Sequence, residues 1–219
     1  MKIGARSFRR RSVLLAAAGI LAVVLTACTG RGGGYLPPGA SVGTDVLPEA
    51  QFPGTVFTGQ APFGFTFSCE DKGGLNPPTG KLAIELAYSD LGTSVLLGAP
   101  FGIHGIVDTI DPVVESAICI GQNPPPDGST LIFLGRYQLT SSPPPPNFPT
   151  TCPSRATKTT PLCRFEVIVR DNDGNLRPST GDLFSIKLSS ATAVTSKLDP
   201  ATVFYARAGF LAGGNLTVK

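Results

Sequence analysis

The feature of this 219-residue sequence that most constrains its fold is a series of short runs with an apolar residue at every second position. Successive side chains of a β-strand point to opposite faces, so the three aromatic side chains of Phe63-Gly64-Phe65-Thr66-Phe67 share one face. Two further runs repeat this alternation, and their apolar positions are Leu82, Ile84, Leu86 and Tyr88, then Leu131, Phe133, Gly135, Tyr137 and Leu139. We expect these faces to form a core.

The rest of the chain is typical of an all-β protein. Gly and Pro are abundant, Trp is absent, and helix signals are weak. Residues 164–170 and 183–188 form the clearest hairpin. The other expected strands are residues 52–58, 102–109, 115–121, 201–210 and 215–218. We therefore predict an antiparallel β-sandwich or open barrel of about 7–9 strands.

The first 28 residues have the layout of an exported precursor. A basic start without acidic residues precedes an apolar run over residues 13–25, as in a signal peptide. This run is shorter than the roughly 18 residues expected of a membrane-spanning helix. It ends at Leu25-Thr26-Ala27-Cys28, which resembles the lipobox of bacterial lipoproteins. We therefore interpret residues 1–27 as the lipoprotein signal peptide.

The lipobox resemblance implies that Cys28 becomes the lipidated N-terminus of the mature protein. Two or three acyl chains on one residue form a stable anchor, which would hold the protein on the extracytoplasmic face of a bacterial membrane. The alternative is a plain signal peptide that ends in an unrelated cysteine. Arg10-Arg11-Ser12-Val13-Leu14 also resembles a loose twin-arginine signal, so general and twin-arginine export both stay open.

Cleavage changes the charge of the chain. Five of the 18 basic residues lie in the signal peptide, which leaves 13 basic residues against 15 acidic ones, a net charge of −2. This balance does not support a nucleic-acid partner. Residues 28–51 are rich in Gly and Pro and have no period, so we expect a flexible tether there. Residues 52–219 then form a single β domain, which we expect to be a monomer.

Four cysteines remain after Cys28, namely Cys69, Cys119, Cys152 and Cys163. An even number in an oxidising compartment indicates two disulfides, and three pairings are possible. Cys152 and Cys163 are close in sequence and bracket a polar segment, so we favour 152 with 163 and 69 with 119. A zinc site of four thiolates is the alternative. Because no CxxC pair supports it, we predict no metal.

The other motifs that could suggest a functional site are better interpreted as ordinary parts of a β fold. The only histidine, His104, lies in an expected strand and is interpreted as a surface or satisfied residue. Residues 171–175 resemble a calcium loop, but position 182 is Asp where that loop needs Glu, so we favour a β-turn. The proline runs at 124–126 and 143–146 are interpreted as stiff loops rather than peptide ligands. No nucleophile elbow, zincin helix, P-loop or dinucleotide motif occurs, so we expect neither catalytic residues nor a cofactor.

Several short stretches of the sequence occur in the same order as the matching stretches of one protein family. They are Ala61-Pro62-Phe63-Gly64-Phe65, Asp71-Lys72-Gly73, Pro78-Thr79-Gly80, residues 165–173, residues 182–188 and residues 213–218. In this order, residues 58–219 resemble the post-COAP type of β domain of secreted and surface proteins of bacteria. The resemblance implies a β fold that recurs as an extracellular module, and it implies no catalytic residues. The proline loops and the four cysteines depart from that pattern.

Together these observations predict a membrane-anchored surface lipoprotein whose non-catalytic β domain serves adhesion or interaction within the cell envelope. Its partners would be the membrane, through the acyl chains, and an envelope or extracellular molecule. The alternative is a carrier that binds an apolar or lipid-like ligand in a barrel cavity, where glycines among the aromatic residues would leave room. An apolar internal cavity would favour the carrier, and a filled core would favour the interaction module.

Overall fold

The computed structural model describes residues 27–70, 81–93, 95–106, 129–155, 160–172, 181–193 and 197–218. Its regular structure is β, apart from a short 3-10 helix at Pro200–Thr202. The strands are β1 (Ala27–Leu36), β2 (Gly39–Ala40), β3 (Val56–Phe57), β4 (Ala61–Glu70), β5 (Lys81–Asp90), β6 (Phe101–Ile106), β7 (Thr130–Leu139), β8 (Arg164–Arg170), β9 (Leu183–Ser189), β10 (Val203–Phe210) and β11 (Gly213–Val218).

Nine of these strands form one curled antiparallel sheet in the order β10-β9-β8-β7-β6-β5-β4-β1-β11. Strands β4 to β10 follow one another as a meander, whereas β1 adds beside β4 and β11 adds beside β1. A separate two-stranded ribbon pairs β2 with β3. The all-β prediction is confirmed, and the described ranges contain no helix with the length and apolarity to cross a membrane.

The inner face of the sheet is filled by the side chains that the alternation predicted. Phe63, Phe65 and Phe67 are all buried in the main core cluster. The ring of Phe63 stacks on Phe184 of β9 at 3.7 Å between centroids, and Phe65 lies 5.4 Å from Phe133 of β7. These contacts join distant strands of the meander, so aromatic rings occupy the interior of the curled sheet.

Strand β1 corrects the prediction of a flexible tether. We expected residues 28–51 to be unstructured, but β1 pairs with β4 over its full length and with β11 over much of it. The register explains the composition of Gly30-Arg31-Gly32-Gly33-Gly34. Three glycines stand opposite the inward aromatic residues of β4, in the pairs Gly30 with Phe67, Gly32 with Phe65 and Gly34 with Phe63. A Cβ atom at Gly30 would meet the side chain of Leu131 on β7, and a Cβ atom at Gly32 or Gly34 would meet β11.

The segment after β1 also belongs to the domain. The backbone N–H of Val42 donates to the carbonyl of Ala208 at 3.0 Å, and the N–H of Ala208 donates to the Ser41 hydroxyl at 2.9 Å. These bonds cover the edge of β10. Leu47 is fully buried against the outer face of the sheet, beside Ile168 of β8. The domain therefore begins at β1 rather than at residue 52.

Most of the remaining strand predictions agree with the structure where it describes them. The expected strand 52–58 is shortened to the two residues of β3, because residues 51–54 form a turn in which Phe52 and Gly54 have positive φ. The expected hairpin is present, with Arg170 of β8 opposite Leu183 of β9. The last two strands begin at Val203 and Gly213, slightly displaced from the expected starts. Residues 1–26 of the expected signal peptide, the expected strand 115–121 and the proline run 124–126 lie outside the described residues, whereas Ala27 is the first residue of β1.

Candidate functional site

A groove of about 430 Å³ lies on the outer face of β7, β8 and β9. We call it the outer groove. Its floor consists of side chains that point away from the core, and its two walls are residues 48–51 and the segment that leads into the 3-10 helix. The lining residues are Pro48, Glu49, Ala50, Gln51, Ile132, Leu134, Glu166, Ile168, Lys187, Lys197, Leu198 and Pro200. Its volume falls in the range of about 300–1,000 Å³ typical of ligand sites.

An ion pair crosses the floor of the outer groove. Nζ of Lys187 donates to Oε1 of Glu166 at 2.6 Å, and both side chains are about nine-tenths buried. The pairing follows from the β8–β9 register, which sets Glu166 directly opposite Lys187 on the outer face. Because each charge meets the other, the floor presents no uncompensated charge from this pair to a ligand.

Apolar residues and two opposite charges also line the outer groove around the ion pair. Leu198 packs with Leu134 in a small cluster separate from the main core, while Ile168 packs with Leu47 in another. Glu49 stands on one wall, and Lys197 stands on the other. The groove can therefore accept an apolar group beside Leu198, with a cation near Glu49.

A second polar cluster lies inside the curled sheet and has a structural role. Asp90 accepts hydrogen bonds from the Tyr205 hydroxyl at 2.7 Å and from Nη1 of Arg207 at 3.0 Å. The hydroxyls of Tyr88 and Tyr205 are 2.5 Å apart. A phenol has one proton, and Tyr205 donates its proton to the carboxylate, so Tyr88 is the donor to Tyr205.

Arg207 links this buried cluster to the chain around β3. Its Nη2 atom donates to the carbonyls of Pro37 at 2.8 Å and Gly59 at 2.7 Å, and its guanidinium lies 4.4 Å from the centroid of the Phe57 ring. Asp90 and Arg207 are both about 2% exposed. These contacts satisfy a buried charge pair and leave the cluster inaccessible to a substrate.

Burial also changes the acidity of three tyrosines. Desolvation raises the pKa of Tyr88 well above its ordinary value, and the neighbouring Asp90 carboxylate raises it further. Desolvation is also the main cause of the raised pKa values of Tyr137 and Tyr205. All three phenols therefore stay protonated in the folded protein at pH values where an exposed tyrosine ionises.

The cysteine predictions are resolved in part. Cys152 and Cys163 form the expected disulfide, with 5.4 Å between their Cα atoms. Two of the four thiols required by the zinc alternative are therefore consumed. Cys119 lies outside the described residues, so the pairing of Cys69 with Cys119 stays a prediction. Cys28 is the second residue of β1, with its backbone opposite that of Cys69.

The other sequence candidates lie apart from the outer groove. His104 of β6 is partly exposed, with Nε2 3.9 Å from Oε1 of Glu85 on β5. Asp182, at the position considered for a calcium ligand, is buried and accepts backbone hydrogen bonds from Asn172 at 3.0 Å and Leu216 at 2.9 Å. Residues 173–175 lie outside the described residues. The part of the chain that the structure describes holds no group of three acidic, His or Cys residues suited to a metal.

Sequence reasoning missed the outer groove for two reasons. Glu166 and Lys187 were assigned to a hairpin, but its register was not used to pair them across the two strands. Residues 48–51, which form one wall, were assigned to the tether because they carry no alternation. The alternation of β8 and β9 was the signal that could have placed the charged pair on the outer face.

Comparison of the chain with protein-family models, with curated proteins and with solved structures found no match in any of the three.

Proposed function

We propose that this protein is a lipid-anchored envelope protein whose non-catalytic β domain binds a protein partner through the outer groove. The observation that carries the proposal is the position of accessible apolar space relative to the sheet. Aromatic rings pack against one another on the inner face, whereas a groove of ligand size lies on the outer face. A second cavity of about 920 Å³ over β1 and β11 is lined mostly by glycine and polar residues, so it offers less apolar surface to a ligand.

The alternative of a lipid carrier requires space within the curled sheet. Two of the glycines that could have provided this space, Gly105 and Gly135, lie against an aromatic ring instead. A Cβ atom at Gly105 or Gly135 would stand less than 3 Å from the ring of Phe165. These glycines make room for the protein's own side chains, which counts against a ligand in the interior.

The lining of the outer groove favours a peptide segment of a partner protein as the occupant. The apolar residues that line the groove around the ion pair suit one or two buried apolar side chains, which commonly anchor protein interfaces. The exposed Glu49 carboxylate in the lining would complement a cation beside that anchor.

Acylation of Cys28 is tested by mass spectrometry of the chain expressed from its full precursor in a bacterium. We expect a mature protein that begins at Cys28 and carries acyl chains. The Cys28→Ser variant should lack this modification and leave the membrane fraction. A mature N-terminus at any other residue would refute the anchor.

Binding through the outer groove is tested with a photo-cross-linking amino acid introduced at Gln51 or, as a control, at the exposed Thr66 of β4. We expect a discrete protein adduct from Gln51 and none from Thr66 in intact cells. Glu49→Lys should weaken the adduct several-fold, whereas Glu85→Lys on the opposite part of the sheet should not. Equal adducts from both probe sites would contradict the proposal.

A further inference from the structure

We propose that the sheet end that contains Cys28 lies directly on the lipid bilayer, so that the domain is held at the membrane in one orientation. The inference rests on the proposed acylation of Cys28. Beyond that acylation, it specifies which surface of the domain faces the membrane and how far the domain lies from the bilayer.

No spacer separates the anchor from the folded domain. Cys28 stands opposite Cys69 of β4, and the next residue, Thr29, stands opposite Ser68. A flexible segment over residues 29–51 would place the domain about 25 Å from the anchor on average. A residue in a β-strand advances the chain by only about 3.3 Å, so acyl chains on Cys28 bring the bilayer to the end of the sheet.

The pairing of β1 also fixes the orientation of the domain. Gly30 is paired with Phe67 on one side and with Val218 of β11 on the other. A strand bonded along both edges cannot swing away from the sheet without breaking backbone hydrogen bonds. The membrane-facing end then includes the neighbouring strand ends at Glu70 of β4 and Lys81 of β5.

The opposite end of the sheet faces away from the bilayer in this arrangement. Strand β5 runs from Lys81 near the anchor to Asp90 at the far end, and the exposed side chain of Val95 follows Asp90. The seven residue-to-residue steps from Ala83 to Asp90 span about 23 Å of strand. This separation is large enough for a fluorescence measurement to distinguish the two ends.

The test uses the acylated full-length protein in vesicles that contain a headgroup-labelled acceptor lipid. The chain has no tryptophan, so Ala83→Trp and Val95→Trp each introduce a single donor at an exposed position. We expect energy transfer to the acceptor to be several-fold stronger from position 83 than from position 95. A 20-residue Gly/Ser insertion between Cys28 and Thr29, which spans about 25 Å, should remove most of this difference.

Mass spectrometry of the same samples separates the two ways in which the inference can fail. Equal transfer from both positions in acylated protein would overturn the orientation and leave the anchor intact. The same conclusion follows if the Gly/Ser insertion leaves the transfer from position 83 unchanged. Absence of acyl chains on the wild-type chain would overturn both the anchor and the orientation.

Discussion

At the scale of single residues, the ion pair between Asp90 and Arg207 is the interaction whose loss should cost most. Both groups are almost fully buried, and removal of one partner leaves the other charge without compensation. We expect Asp90→Asn to lower the free energy of unfolding by about 3–5 kcal/mol. Urea unfolding of the variant measures this loss.

The control for Asp90 is an exposed carboxylate on the same strand. Glu85 lies near His104 on the outer face of β5 and β6, where water screens the pair. We expect Glu85→Gln to change the free energy of unfolding by less than about 1 kcal/mol. Similar losses for both variants would show that the buried pair has no special importance.

The buried tyrosines predict how stability depends on pH. Burial raises the pKa of Tyr88, Tyr137 and Tyr205 in the folded state, whereas in the unfolded chain these phenols ionise near pH 10. Above that pH the folded state binds more protons than the unfolded state, so stability is complete below pH 10 and falls as pH rises further. Each tyrosine contributes a slope of about 1.4 kcal/mol per pH unit.

Unfolding experiments between about pH 9 and pH 11 measure this slope. We expect Tyr88→Phe to make the decline shallower, because the phenylalanine cannot ionise in the unfolded chain. The absorbance of tyrosinate provides an independent readout. Ionisation of all tyrosines near pH 10 in the folded protein would contradict the burial of these hydroxyls.

At the scale of secondary-structure elements, the glycines of β1 should be sensitive to the smallest side chain. A Cβ atom at Gly34 would overlap the backbone carbonyl oxygen of Gly213 on β11, which cannot move without disturbing that strand. Gly64 on β4 has space for a Cβ atom. We expect Gly34→Ala to destabilise the fold by about 1–3 kcal/mol, with Gly64→Ala as the near-neutral control in urea unfolding.

The contrast between β1 and β4 shows how far the sequence could predict this fold. Strand β4 was predicted because Phe63, Phe65 and Phe67 alternate with small or polar residues. Strand β1 has glycine at its inward positions, and glycine has neither an apolar side chain nor a strand preference to reveal the pattern. Its role depends on rings that lie far away in the sequence, so alternation within β1 could not indicate it.

Less of the outer groove than of the fold could be predicted from the sequence. The β8–β9 hairpin was recognised, and its register alone would place Glu166 beside Lys187. The walls of the outer groove depend on how residues 48–51 and Lys197 pack on the sheet. That packing is a tertiary arrangement, which no periodicity in those segments encodes.

At the scale of the whole molecule, the boundary of the folding unit can be tested by truncation. A chain that begins at residue 52 would lack β1, which is the only paired neighbour of β11 among the described residues. We expect residues 52–219 to lose cooperative unfolding and near-UV circular dichroism, whereas residues 29–219 should retain both. A cooperatively folded 52–219 fragment would restore the tether interpretation.

The neighbouring positions of β1 and β11 have a consequence for biogenesis. Gly30 and Val218 are paired although nearly the whole chain separates them. Synthesis from the N-terminus delivers β1 long before its partner β11. The sheet therefore cannot be completed until β11 has been synthesised, and until then the edge of β1 that pairs with β11 is open to a chaperone or another chain.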